Sequence, residues 1–321
     1  MEPLHVGFPL GIGDCHWLVT KMRALSKYFG GRPIHAHINT SPNHVSVHYL
    51  KMCPQITVAI DDKKAPYHVW TEMGGSQYRN HQHWASLKNC LNYRGYDVWG
   101  VINPCVDAGM PFDQIWPELN EFGGTEYEYE VAIPQEDRDY VKQFGEKPVL
   151  LYPSGVGPNS AFHGGTWTIQ NWVRTAQFFN GNGFPVTVVG AATKDDLGYW
   201  GPLKKEFDKN KINYVDAVGK TSLPQYCALI ESAAIWIGLN SGGGIFSAMR
   251  RTPTIMMWCD RAYPIGRPGT QSYAGAKDMS TEMQRNWLNA DQLKTYRTFS
   301  YGSKMLTPVN VYRVAREVMR V

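Results

Sequence analysis

Short apolar runs alternate with helical patterns along this chain, and the alternation comes in two rounds. Strands that alternate with helices build parallel βαβ units, so the pattern points to an α/β protein. The first round opens with Leu4–Phe8 as a buried strand and a turn over 9–13. A helix is expected from Asp14, with Trp17, Leu18, Met22, Leu25 and Tyr28 at helical spacing and Gly30 and Gly31 closing it. Strands over 33–38 and 56–60 then enclose a helix over 42–52. The second round places strands at Val149–Tyr152, 185–189, 214–215, Ile235–Leu239 and Thr254–Trp258. Helices are expected over 168–179, 195–207, Leu223–Ser232 (capped by Ser222) and 245–250. Val311, Val314, Ala315 and Val318 mark a last amphipathic helix.

The rounds meet at Gly145-Glu146-Lys147-Pro148, which breaks a helix over 135–144. This predicts two domains, 1–147 and 148–321, with the C-terminal helix free to pack back on the first. A chain of 321 residues is long enough for two. Residues 74–84 interrupt the pattern with a polar, aromatic stretch that reads as a functional loop. A strand over 96–102 and a short helix over 112–119 follow it.

Other functions are made less attractive by what is missing. No run reaches the roughly 18 apolar residues of a membrane span. The first residues lack the basic and apolar regions of a secretory signal, so a cytoplasmic protein is expected. Cys15, Cys53, Cys90, Cys105, Cys227 and Cys259 are scattered without a C-x-x-C, which argues against zinc and disulfides and for buried thiols. A net charge of +4 suits an anionic ligand.

Four loops carry candidate chemistry. Asn240, Ser241, Gly242, Gly243 and Gly244 follow a strand and precede a helix. A helix start offers unpaired N–H groups and a positive dipole end, and glycines let a phosphate approach them. Gly11-Ile12-Gly13-Asp14 lies between the first strand and first helix. A dinucleotide fingerprint would need glycine at 16, where His16 stands. Asp14 reads either as a helix cap or as a carboxylate at the sheet edge where α/β proteins bind ligands, suited to act as a general base. Ser154 and Gly155 follow the first strand of the second round, and Lys220 precedes the Ser222 cap. Each of these two loops fits phosphate contact and fits ordinary turn chemistry.

In their order and spacing these blocks resemble the ADP-heptose:lipopolysaccharide heptosyltransferase family. The resemblance rests on Gly11–Asp14, on Val149–Gly155 with Trp167–Trp172, and on Val186–Gly190 followed by Asp195-Asp196. Its best block runs from Val218-Gly219-Lys220-Thr221-Ser222-Leu223 to Ile237-Gly238-Leu239-Asn240-Ser241-Gly242, with Pro253-Thr254-Ile255 beyond. It implies a GT-B fold, two Rossmann-like domains with parallel sheets facing across a cleft. It implies a nucleotide-diphosphate sugar held by the C-terminal half, at Ser154, Gly155, Lys220, Asn240, Ser241, Gly242, Gly243 and Gly244. It implies an acceptor held by the N-terminal half, with Gly11 and Gly13 beside it and Tyr78, Arg79, His81 and His83 of the 74–84 loop facing it. Asp14 matches the family's catalytic aspartate, and the transfer it implies inverts the anomeric carbon without a metal or other cofactor.

The chain departs from the family pattern at three places. His163-Gly164-Gly165-Thr166-Trp167 lacks the lysine usual before the tryptophan, Asn240 stands where an acid is common, and Ile245 where a histidine is. His163, Lys220, Arg251 and Arg261 are candidates for the missing positive charge. The acceptor is expected to be a glycan or a hydroxylated base in DNA, since the 74–84 loop suits sugar stacking and base stacking equally. A third reading is an inactive nucleotide-sugar binder that has kept the fold.

Overall fold

The computed structural model describes residues 1–8, 11–19, 22–38, 45–60, 69–71, 91–93, 130–153, 167–191, 194–239, 241–258, 288, 290–300 and 303–320. The chain forms two compact units. The described residues of the first lie within Met1–Ala132, and those of the second within Ile133–Arg261 and Leu288–Val321.

In the first unit, β1 (Leu4–Phe8), β2 (Ile34–Ile38), β3 (Val58–Ile60), β4 (Val69–Thr71) and β5 (Leu91–Tyr93) make one sheet in the order β3-β2-β1-β4-β5. Every pairing is parallel. Leu4, Val6, Phe8, Ala36 and Ile38 are buried, the near-continuous burial expected of a parallel sheet covered on both faces. The helices are α1 (Ile12–Val19), α2 (Met22–Tyr28) and α3 (Val45–Lys51). Gly30 and Gly31 follow α2 with φ of 77° and 81°, and the Gly31 N–H donates to Ser26 O at 2.8 Å. Only glycine takes two such angles without strain, which is why α2 stops there.

In the second unit, β6 (Val149–Tyr152), β7 (Val186–Val188), β8 (Tyr214–Asp216), β9 (Ile235–Leu239), β10 (Thr254–Trp258) and β11 (Tyr296–Ser300) form a sheet in the order β11-β10-β9-β6-β7-β8. It too is parallel throughout. Its helices are α4 (Gln135–Tyr140, continued as a 3-10 turn over Val141–Phe144), α5 (Ile169–Asn180), α6 (Lys194–Lys209), α7 (Leu223–Ser232), α8 (Gly242–Met249), α9 (Ala290–Lys294) and α10 (Pro308–Val318). Ser222 caps α7 in a full capping box with Gln225, as its position predicts. Thr168 and Thr307 cap α5 and α10 through the N–H groups of Asn171 and Asn310. The core joins Trp172 and Phe179 of α5 to Val186, Ile237 and Ile255 of the sheet.

The C-terminal helix buries Val311, Ala315 and Val318 in this second core, and its Tyr312 stacks on Phe178 at 5.6 Å. Residues 133–147, which a boundary at 147 would give to the first half, pack in the second unit. Arg138 of α4 donates to Glu231 of α7 at 2.6 Å, and Thr187 of β7 donates to Phe144 O at 2.7 Å. The break at 145–148 is a turn inside the unit.

Two helix starts differ from expectation. The first helix begins at Ile12 and so includes Asp14 in its first turn, and α8 begins at Gly242 and so includes three glycines thought to precede it. The strands β4, β5 and β11 and the helix α9 were not foreseen. The 74–84 loop, the strand over 96–102 and the helix over 112–119 lie outside the described residues. Among the described residues no helix is long and apolar enough to cross a membrane, and Cys15, Cys53 and Cys227 are buried. Burial pushes the Cys53 thiol up to about 12, so it is an inert core group.

Candidate functional site

All strands of a parallel sheet point their carboxyl ends to one edge, and ligands gather there where the strand order reverses. In the second unit the chain builds outward from β6 through β7 to β8, then returns to the other side of β6 with β9. The reversal therefore lies between β6 and β9, which pair from Val149 against Ile235 to Tyr152 against Gly238. The loop carrying Ser154 and Gly155 follows one of these strands and Ser241–Gly244 follows the other. Ser154, Gly155 and Asn240 lie outside the described residues.

Ser241 is the N-cap of α8, and the Ile245 N–H donates to Ser241 O at 3.2 Å. Its side chain makes no capping bond, and its hydroxyl oxygen is buried without a partner among the described residues. The side-chain cap that would close this helix start is thus not made. Gly242, Gly243 and Gly244 form the first turn, where N–H groups have no carbonyl four residues back. Open N–H groups of this kind at a helix start are the donors that an anion can use.

The glycines also have a packing reason. A Cβ on Gly243 would strike the hydroxyl of Tyr226 on α7. One on Gly244 would lie 2.8 Å from Trp236 Cη2 and also against the end of Met256. Trp236 Nε1 donates to Tyr226 Oη at 3.2 Å, and the Trp236 ring stacks on Tyr152 with centroids 5.9 Å apart. Gly238, in mid-strand, is held to the same limit: a Cβ there would lie 2.7 Å from both Trp236 Cη2 and Tyr152 Cβ. Trp236, Tyr226 and Tyr152 therefore mould the helix start. Sequence reading missed this trio, although glycines at 238, 243 and 244 near one tryptophan were a signal of close approach.

Lys220 sits in the loop after β8. Its ammonium donates to Asp216 O at 2.7 Å and lies 3.8 Å from Asp216 Oδ2, while Tyr140 Oη donates to Lys220 O. The side chain is engaged by its own loop. Of the other candidate cations, Arg251 follows α8 with φ of 62°, and His163 and Arg261 lie outside the described residues.

In the first unit the strand order reverses between β1 and β4. The Gly11–Asp14 segment follows β1 at that point. The Cys15 N–H donates to Gly11 O at 3.0 Å, so Gly11 caps α1 and Asp14 is its third residue. Tyr78, Arg79, His81 and His83 lie outside the described residues. Among the described residues no group of His, Cys, Asp or Glu side chains is placed to hold a metal ion.

His16, two residues beyond Asp14, is a core residue. It is 1% exposed and packs edge-on to Tyr49 of α3 with centroids 4.3 Å apart. Burial lowers its pKa from 6.5 to about 3. The unfolded chain takes up a proton below pH 6.5 that the folded chain refuses, so stability present above 6.5 is lost as pH falls towards 3. Between pH 7 and pH 5 this group alone removes about 2 kcal/mol. A His16→Leu variant is expected to show a flatter fall in urea midpoint over that interval. An unchanged slope would show that another group sets the acid limb.

No family model matches the chain, and no curated protein matches it. Solved structures do. The chain is similar to E. coli ADP-heptose LPS heptosyltransferase II, with 13% identity, a TM-score of 0.62, and 100% of this chain and 99% of that one covered. It is similar to a glycosyl transferase family 9 protein from Veillonella parvula, with 14% identity, a TM-score of 0.61, and 99% and 97% covered. E. coli heptosyltransferase WaaC with ADP follows at 9% identity and a TM-score of 0.56, with 98% and 100% covered. At such identities the likeness carries the fold, two parallel-sheet α/β domains of the GT-B kind.

Proposed function

We propose that the chain is a glycosyltransferase that moves a sugar from a nucleotide-diphosphate sugar to an acceptor hydroxyl, with inversion and without a metal. The observation that carries this is the uncapped helix start at Ser241–Gly244, set where the strand order of the second unit reverses. Diphosphate oxygens accept hydrogen bonds from the N–H groups that the missing side-chain cap leaves open. The similar E. coli WaaC structure contains ADP, a ligand of this chemistry.

In the proposed reaction the acceptor oxygen attacks the anomeric carbon as Asp14 takes its proton. The bond from that carbon to the diphosphate breaks, and the electron pair leaves on the phosphate oxygen. Charge grows on the diphosphate as it departs, and the α8 N–H groups and dipole stabilise it there. Asp14 stands at the order reversal of the first unit, which makes that unit the acceptor side in this reading.

The test is a melting panel with ADP, UDP, GDP and CDP. A nucleotide at a hundredfold excess over its Kd adds about 2.7 kcal/mol to the unit that binds it. One or two members are expected to raise the melting temperature, and the preferred base names the donor. A panel in which none does would overturn the reading.

A further inference from the structure

The C-terminal helix α10 has two unlike faces. Val311, Ala315 and Val318 are buried in the core of the second unit. At about 3.6 residues per turn these three lie on one side, and Val309, Arg313 and position 320 lie on the other. Val309, Arg313 and Arg320 are all exposed, the last in the turn that closes the helix, where its N–H donates to Glu317 O at 3.3 Å.

The outer face begins with an apolar tip. Met305 stands just before the Thr307 cap. Its N–H donates to Ser303 Oγ at 3.1 Å, and its O accepts from Asn310 Nδ2 at 3.0 Å, which ties it to the first turn of α10. The Met305 side chain is 52% exposed and Val309 57%. After Met1 they are the most exposed large apolar residues among the described ones, and both stand at this one end of the helix.

Charge surrounds and follows the tip. Lys304 is exposed next to Met305, Arg313 comes one turn after Val309, and Arg320 two turns after that. Arg316 flanks the row, its Nη1 donating to Tyr312 Oη at 3.0 Å and its guanidinium 5.7 Å from the centre of the Phe184 ring. The neighbouring helix α5, whose Phe178 stacks on Tyr312, carries exposed Arg174 and no acidic residue. Glu317 is the single carboxylate of the two helices. Among the described residues Lys304, Arg174, Arg313 and Arg320 make no ion pair.

Cations alone would suit any polyanion. Exposed aliphatic side chains at the head of the row add a second requirement, because they gain only where an apolar phase lies directly beside the anions. The boundary between the head groups and acyl chains of an anionic bilayer meets both conditions. We propose that this face of the second unit docks on a membrane surface rich in anionic lipid. Met305 and Val309 enter the acyl boundary, and Lys304, Arg313 and Arg320 meet lipid phosphates. Two apolar side chains and a short row of charges make a reversible, salt-sensitive attachment. The proposal does not depend on the reading of Ser241–Gly244 or Asp14, because it concerns none of those residues.

The experiment sediments the full chain with vesicles of phosphatidylcholine alone and with vesicles in which about 30% of the lipid is phosphatidylglycerol. The chain is expected to bind the second kind at low salt, to leave the first kind in solution, and to be released at high salt. Each exposed cation contributes about fivefold, so Arg313→Gln with Arg320→Gln should weaken binding about 25-fold. Met305→Ser with Val309→Ser should weaken it about tenfold, the scale of losing part of two apolar burials. All four side chains are exposed, so both double variants should melt with the parent. The single changes Arg313→Gln and Met305→Ser repeat the test if either double variant melts lower. No binding to the anionic vesicles at low salt would overturn the proposal, as would binding that survives the arginine changes. Binding that loses strength with the arginines but not with Met305 and Val309 would also overturn it, since the face would then be a general polyanion surface, and a duplex DNA fragment would compete with the vesicles.

Discussion

Replacing Asp14 by Asn is expected to lower kcat by about 10² to 10⁴-fold, the usual contribution of a positioned general base. The substitution keeps the size of the side chain and removes its capacity to take a proton. Asp14 is the third residue of α1, on the turn that follows β1. A carboxylate in the first turn of a helix is favoured by the dipole, and an amide there is tolerated, so the fold should survive. Circular dichroism and the melting temperature check that point. In the proposed reading the donor is held at Ser241–Gly244 in the second unit, so its binding is expected to stay unchanged, with the loss confined to turnover. The rate is measured at saturating donor, using the nucleotide selected by the melting panel. A variant that retains activity within about threefold of the parent would remove Asp14 from the chemistry, since even the low end of the range is larger. A parent chain that binds the nucleotide sugar and turns over no acceptor would favour the inactive-binder reading.

Much of the architecture was legible because parallel strands that are buried on both faces leave unbroken apolar runs. Leu4–Phe8, Val149–Tyr152 and Ile235–Leu239 were read at their observed bounds. Ser222 announced the start of α7 because an N-cap is local chemistry, and the structure adds Gln225 as the second half of a capping box. The three-residue strands Val69–Thr71 and Leu91–Tyr93 were not legible, since three residues show no period. The start of α8 was displaced for a different reason. Glycine is a poor helix former, so three in a row read as a loop, yet Gly243 and Gly244 are helical, and they are glycine because Tyr226, Trp236 and Met256 leave no room for a side chain. Tertiary packing overrode propensity there, and the partner that does so lies several residues away in another element. The same contacts weaken one step of the sequence argument. Costly glycines at a helix start suggested phosphate approach, but packing alone requires two of them. The phosphate reading now stands on the uncapped N-terminus and its place in the strand order.

Truncating Trp236 separates these two roles. Its ring is fully buried, is stacked on Tyr152, donates to Tyr226, and touches the space above Gly238 and Gly244. Trp236→Ala is expected to destabilise the protein by about 3–5 kcal/mol, the range for an aromatic removed from a core that relaxes only in part. The denaturant midpoint should fall at constant slope, which marks a change in stability rather than in the extent of unfolding. Trp236→Phe gives the sharper result, because phenylalanine lacks the outer ring carbons that crowd Gly244. Gly244→Ala alone should be destabilising by about 1–3 kcal/mol as an overpacking change, offset in part by the better helix propensity of alanine. In the Trp236→Phe background the same change should be less harmful or favourable, because the new methyl occupies the space the indole has left. The two substitutions touch one contact, so their effects should depart from additivity by more than about 0.5 kcal/mol. Additive effects would mean that the indole does not hold position 244 to glycine, and would leave the end of Met256 as the contact that does. Non-additive stability together with an undiminished nucleotide-induced melting shift in Gly244→Ala would assign the glycine to packing and leave the anion site to the N–H groups of Gly242 and Gly243.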